Sequence, residues 1–144
     1  MVVLGCMLAP EGLAGEAMKV TEQAFETVKF SHSRDITNPY LPLASLKQDI
    51  LEGKEGGKTV RVERTIKPDL HKTFKVGRRK VEALVMEDRE FENGKLAEVA
   101  LDYFAQADDG TVYYLGEDVD EYKGGKVVGH SAPGSLANKR RSRA

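Results

Sequence analysis

The residues whose types and spacing could do chemistry fall into a few groups. Gly129-His130-Ser131-Ala132-Pro133-Gly134 has the small-residue surround of a nucleophile elbow, where a serine sits on a sharp strand-to-helix turn so that its hydroxyl projects. A small serine hydrolase would use Ser131 as nucleophile, His130 or His71 as base, and an aspartate such as Asp118 to orient the imidazole. The second glycine falls one position late and no strand-to-helix pattern surrounds the serine, so the expectation is that no residue here is catalytic.

A second group is acidic: Asp108, Asp109, Glu117, Asp118, Asp120 and Glu121 could converge on a hard cation such as Ca²⁺, which takes six or more oxygens. Their spacing matches no EF-hand loop. Turn chemistry accounts for Asp108-Asp109, and solvated edge charges account for the rest, so no metal is expected. His32, His71 and His130 would make a zinc or copper site only if the fold gathered them from three distant segments. Tyr103, Tyr113 and Tyr114 are the candidate ligand surface, because rings with polar tips suit a carbohydrate, an apolar ligand or a protein. The plainer reading of these rings is core or rim.

The elements that must position these groups are strands. In the stretch from Arg79 to His130, Asn93-Gly94, Asp109-Gly110 and Gly124-Gly125 each suit a two-residue hairpin loop with positive φ. Between them, Val99, Leu101, Tyr103 and Ala105 alternate with Glu98, Ala100, Asp102, Phe104 and Gln106, the period of two that separates the faces of a strand. Val112 to Leu115 is aromatic and β-branched, and a bend is expected near Gly116-Glu117. Upstream, Lys58 to Ile66 alternates cleanly, with Arg64 interrupting the face of Val60, Val62 and Ile66 and so expected at a rim. Phe74 to Val76 predicts a weaker strand. Leu43 to Glu52 and Thr21 to Phe30 each fit a short helix or a strand. Asn38-Pro39 and Leu41-Pro42 force an irregular lead-in, with Tyr40 and Leu41 expected against the core.

Composition narrows the class. A chain of 144 residues with 40% hydrophobic side chains can close one core. Lys plus Arg number 22 against 23 for Asp plus Glu, so no global field would gather nucleic acid. Cys6 is the single cysteine, which excludes an internal disulfide framework and a cysteine-rich zinc site. No segment is long and apolar enough to span a bilayer as a helix. Residues 1–20 are expected to be a flexible N-terminus or a truncated signal remnant, with Leu4-Gly5-Cys6 resembling a lipoprotein cleavage box. Residues 21–130 are expected to form a single β domain. Residues 131–144 are expected to be a disordered tail; its basic run from Lys139 to Arg143 could contact nucleic acid or anionic lipid, but an unstructured tail after a lost frame is the reading taken, and no nucleic-acid partner is expected.

Thr37-Asn38-Pro39-Tyr40-Leu41-Pro42-Leu43, Leu101-Asp102-Tyr103-Phe104-Ala105-Gln106, Asp109-Gly110, Val112-Tyr113-Tyr114 and Gly116-Glu117-Asp118-Val119 together resemble a family of small bacterial β proteins. That family carries an NPYFPL opening, a DYFAQDxDGNVYYFGED core and a closing GKVVxH element, and the likeness covers roughly residues 35–131. Many of its members look secreted or lipid-anchored, so the resemblance implies an extracytoplasmic setting. Two features depart from it: Ala44-Ser45-Leu46-Lys47 replaces the family's Gly-Thr-Thr strand, and its Trp-containing C-terminal extension is missing. Codons for Pro133 to Ala137 read two bases later can encode Trp-Leu-Ala-Gly, so a one-base frameshift would account for the second.

The expectation is therefore a mainly β protein: an antiparallel meander forming a curved sheet or a partly closed barrel, with one or two short N-terminal helices possible. Its expected role is non-catalytic, binding a small ligand or a protein partner without a cofactor, outside the cytoplasm if a complete signal exists upstream. The serine hydrolase and the divalent-cation binder are the alternatives.

Overall fold

Alternation of side chains, punctuated by glycine turns, builds the fold. The computed structural model describes residues 27–76 and 78–132. Seven strands follow in order: β1 (Gln48–Glu55), β2 (Lys58–Ile66), β3 (Lys72–Val76), β4 (Arg79–Glu92), β5 (Lys95–Gln106), β6 (Val112–Lys123) and β7 (Lys126–Ser131). They form one antiparallel sheet in the order β1-β2-β4-β5-β6-β7, with β3 also on β4. The expected meander is present as an open sheet: β1 and β7 are its two margins, and six strands abreast fall short of the about eight that close around a filled interior.

Helix is nearly absent from the described residues. A 3-10 turn at Leu43–Ser45 precedes β1, so the ambiguous stretch from Leu43 resolves into a turn and then a strand. Most of Thr21 to Phe30, and all of residues 133–144, lie outside the described residues. No helix among the described residues is long and apolar enough to cross a membrane.

The tight turns follow their glycines. Asn93 and Gly94 have φ of 47° and 75°, and Gly124 and Gly125 have 60° and 75°, as a two-residue loop requires. Asp109-Gly110 differs from expectation, since only Gly110 is at positive φ there. Gly110 N bonds Ala107 O at 2.9 Å, and Ala107 N bonds Thr111 O at 2.9 Å. The loop is thus Asp108-Asp109-Gly110, with glycine in the bulge position.

Both faces of the sheet are packed near the start of β4. On one, Leu84 and Met86 meet Ile36, Leu43, Leu41, Leu46, Ile66, Phe104 and Val112. The other joins Ala83, Val85 and Tyr103 with Phe74, Leu101 and Leu115. The lead-in before β1 therefore lies over one end of one face. Leu41 takes part as expected; Tyr40 does not, being 95% exposed, because Asn38 Oδ1 accepts from Tyr40 N and turns the chain outward. β2 and β3 succeed one another along β4, with Lys67 N donating to Val85 O between them. Arg34 ties down the connecting loop, its Nη2 donating to Pro68 O at 2.6 Å and its Nη1 lying 2.9 Å from His71 Nδ1.

Candidate functional site

Register decides which side chains share a face. Leu84, Met86, Asp88 and Glu90 of β4 stand opposite Phe104, Asp102, Ala100 and Glu98 of β5. On β6, Tyr114, Glu117, Val119 and Glu121 continue the same rows. The apolar end of this face is the part under the lead-in segment. The other end is acidic.

Its lowest row holds Glu90, Glu98 and Glu121 abreast on three neighbouring strands, and Asp102 stands opposite Glu117 one row above Ala100. Like charges directly opposite one another destabilise an antiparallel pair, so this arrangement costs the isolated fold. Beside Glu90 the row continues through Val62 to Leu51, which is 48% exposed, giving the carboxylates an apolar shoulder. On the far side it reaches β7 at Gly129, where a Cβ would lie 2.8 Å from Glu121 Oε2. The missing side chain lets the Glu121 carboxylate lie over the marginal strand.

Arg64 faces the cluster from β2, in register between Asp49 and Asp88. Its guanidinium is committed to Asp49: Nε donates to Oδ1 at 2.8 Å and Nη2 donates to Oδ2. Asp88 receives its charge without a hydrogen bond among those described. Burial, then the neighbouring Asp102, Glu90 and Glu98, push Asp88 up to about 6 against the partial opposition of Arg64. Asp102 is 8% exposed, and Tyr114 Oη donates to its Oδ1 at 2.9 Å from a ring tilted against Phe104, centroids 5.2 Å apart. Burial raises Asp102 and Glu98 as well, with Glu117 adding to the first and Glu90 to the second. Tyr114 is raised by burial and by Asp102.

The sequence-predicted residues are not gathered by this geometry. Ser131 ends β7 opposite Val119, on the acidic face, whereas His130 points to the other face and sets Nδ1 2.6 Å from Asp120 Oδ1. Asp118 accepts from the Tyr103 hydroxyl and, at 3.1 Å, from Lys72 Nζ. With His71 against Arg34, His130 against Asp120, and Asp118 against Tyr103 and Lys72, neither candidate base is hydrogen-bonded to the orienting acid. Adjacent residues on a strand face opposite ways, so His130 and Ser131 cannot share one site.

The proposed cation ligands are also dispersed. Asp108 accepts from Ser31 N at 2.7 Å and Ser31 Oγ at 2.8 Å, and Asp109 accepts from Thr111 N at 2.9 Å. Glu117 lies on one face, Asp118 and Asp120 on the other. Among the described residues, no group of three His, Cys, Asp or Glu is placed to hold a metal ion. The tyrosines split too: Tyr103 is buried on one face, Tyr114 borders the acids on the other, and Tyr113 packs 5.5 Å from Phe30. A cleft of about 390 Å³ lies between Ser31, Thr37, Gln106 and Asp108, but its amide is already used: Gln106 Oε1 accepts from Asn38 N and Nε2 donates to Thr37 Oγ1.

The carboxylate face itself escaped the sequence pattern, apart from Glu117 and Glu121. The signal that could have found it is shared parity: Asp88, Glu90 and Glu92 on one strand, Glu98 and Asp102 on the next, Glu117 and Glu121 on the third. Comparison with protein-family models, with curated proteins and with solved structures finds no match to this chain.

Proposed function

We propose that this chain is a non-catalytic binding domain and that a basic segment of a partner protein, carrying an apolar side chain beside its cations, docks on the acidic face. The supporting observation is the row Glu90, Glu98 and Glu121, three like charges held abreast with Leu51 and Val62 beside them. A lysine- or arginine-rich segment would neutralise the row, and its apolar side chain would cover Leu51. The placement of Ser131 and His130 on opposite faces, with Asp118 against Tyr103 and Lys72 and His130 against Asp120, favours this reading over the hydrolase. The resemblance to small secreted or lipid-anchored bacterial proteins supports an extracytoplasmic setting.

Hexalysine is the simplest probe. Calorimetric titration at low salt is expected to show binding that weakens as salt is added. Replacing Glu98→Gln and Glu121→Gln together should weaken it about tenfold, or about 1.4 kcal/mol, while Glu55→Gln with Asp69→Asn should leave it unchanged. Equal loss from both pairs would reduce the binding to general charge and remove the site.

A further inference from the structure

We infer that the acidic face is gated by protons: mild acidification neutralises Asp88 and thereby releases the basic partner. The partner rests on the proposed function above; the proton uptake rests on the arrangement around Asp88 alone. That carboxylate stands half-buried in the middle of the face, opposite Arg64 on β2 and Ala100 on β5. β1 contributes Asp49, which takes the Arg64 guanidinium; β4 contributes Glu90; β5 contributes Glu98 and Asp102; β6 contributes Glu117, Glu121 and the Tyr114 hydroxyl. At this height β7 offers only Gly129 and Ser131 on the same face, neither of which carries charge.

Two structural facts make a proton the cheapest relief when no partner is bound. The cross-strand pairs Glu90 with Glu98, Glu98 with Glu121, and Asp102 with Glu117 are all like-charged. The one guanidinium in register is spent on Asp49, so it screens Asp88 without bonding to it. Burial first, then Asp102, Glu90 and Glu98, push Asp88 up to about 6 against Arg64, and burial displaces Asp102 and Glu98 in the same direction. A bound cation stabilises the ionised face and so competes with the proton; by linkage, the proton competes with the cation.

Hexalysine acetylated at its N-terminus and amidated at its C-terminus carries only side-chain ammonium groups and keeps its full charge between pH 5.0 and 7.5, so any change in affinity over that range comes from the protein. At constant ionic strength its dissociation constant is expected to rise about tenfold from pH 7.5 to 5.0 in the native sequence, and less than about threefold in Asp88→Asn. An equal rise in both proteins would overturn the gate, since Asp88→Asn leaves every histidine in place. Carbon-13 titration of the carboxyl groups in the unliganded protein reads the proton directly. An Asp88 midpoint near 6 supports the gate, and a midpoint in the ordinary aspartate range overturns it even where hexalysine binds. Absence of hexalysine binding with Asp88 titrating near 6 would overturn the docking reading and leave the proton uptake supported.

Discussion

Two aspartates on opposite faces show how strictly the neighbours of a side chain set its charge. Burial pushes Asp118 up, but the Tyr103 hydroxyl and the Lys72 ammonium, which also sits 5.1 Å over the Tyr103 ring, hold it below the usual range. Asp102 has one donor, Tyr114, and faces Glu117, so burial wins and it is raised. Tyr114→Phe would leave a nine-tenths-buried carboxylate without that donor. Urea unfolding at pH 7.5 is expected to show a loss of about 1–3 kcal/mol. The loss should shrink as pH falls, because burial already favours the protonated form of Asp102. Arg34 permits a sharper test, because a guanidinium only donates and His71 Nδ1 must therefore accept. The His71 proton is expected on Nε2, and long-range nitrogen-proton correlation spectra identify it.

At the level of strands, register explains both what the sequence disclosed and what it hid. β2 runs from Lys58 to Ile66 as its alternation predicts, and Asn93-Gly94 turns where expected. The parity of the acids within each strand was readable, but their alignment across strands was not, because the register shifts between Glu90 and Phe91, and again between Tyr103 and Phe104. Carried unbroken from the Asn93-Gly94 turn, where Glu92 pairs with Lys95, the ladder would set Asp88 opposite Val99; it stands opposite Ala100. Each bulge exchanges the two faces, and no single residue type announces one. Arg64 was legible as an interruption but not as a bidentate partner of Asp49, since that contact needs the pairing of β1 with β2. A strand-level prediction follows from the crowded row: Glu98→Gln should raise the stability of the unliganded protein by about 0.2–1 kcal/mol while weakening hexalysine. Gly94→Ala should act oppositely, costing about 1–2 kcal/mol through backbone strain at φ 75° although a Cβ there meets nothing within 4 Å.

For the molecule as a whole, the two kinds of carboxylate make stability depend on pH from both sides. Asp88 is raised from 3.8 to about 6, so its stabilising contribution is complete below 3.8 and is lost as pH rises through about 6. Asp102 and Glu98 act with the same sign. Asp108 and Asp109 are lowered by bonds from Ser31 and Thr111, so their contribution is present above the ordinary aspartate value and is lost as pH falls. The unliganded protein should therefore have its highest thermal midpoint at mildly acidic pH, between about 4 and 6, and a lower one at pH 7.5. Calorimetric scans from pH 3 to 8 check this, and Asp88→Asn should flatten the decline above pH 5.

The margin at β7, which pairs with no further strand among the described residues, bears on how this protein behaves when crowded. Val127 and Val128 are 51% and 62% exposed there, and no charged side chain stands between Lys126 and His130. Such a rim invites stray chains to stack onto it, so concentrated solutions should slowly seed fibrils, and a lysine substituted for Val128 should lengthen the lag seen with an amyloid dye.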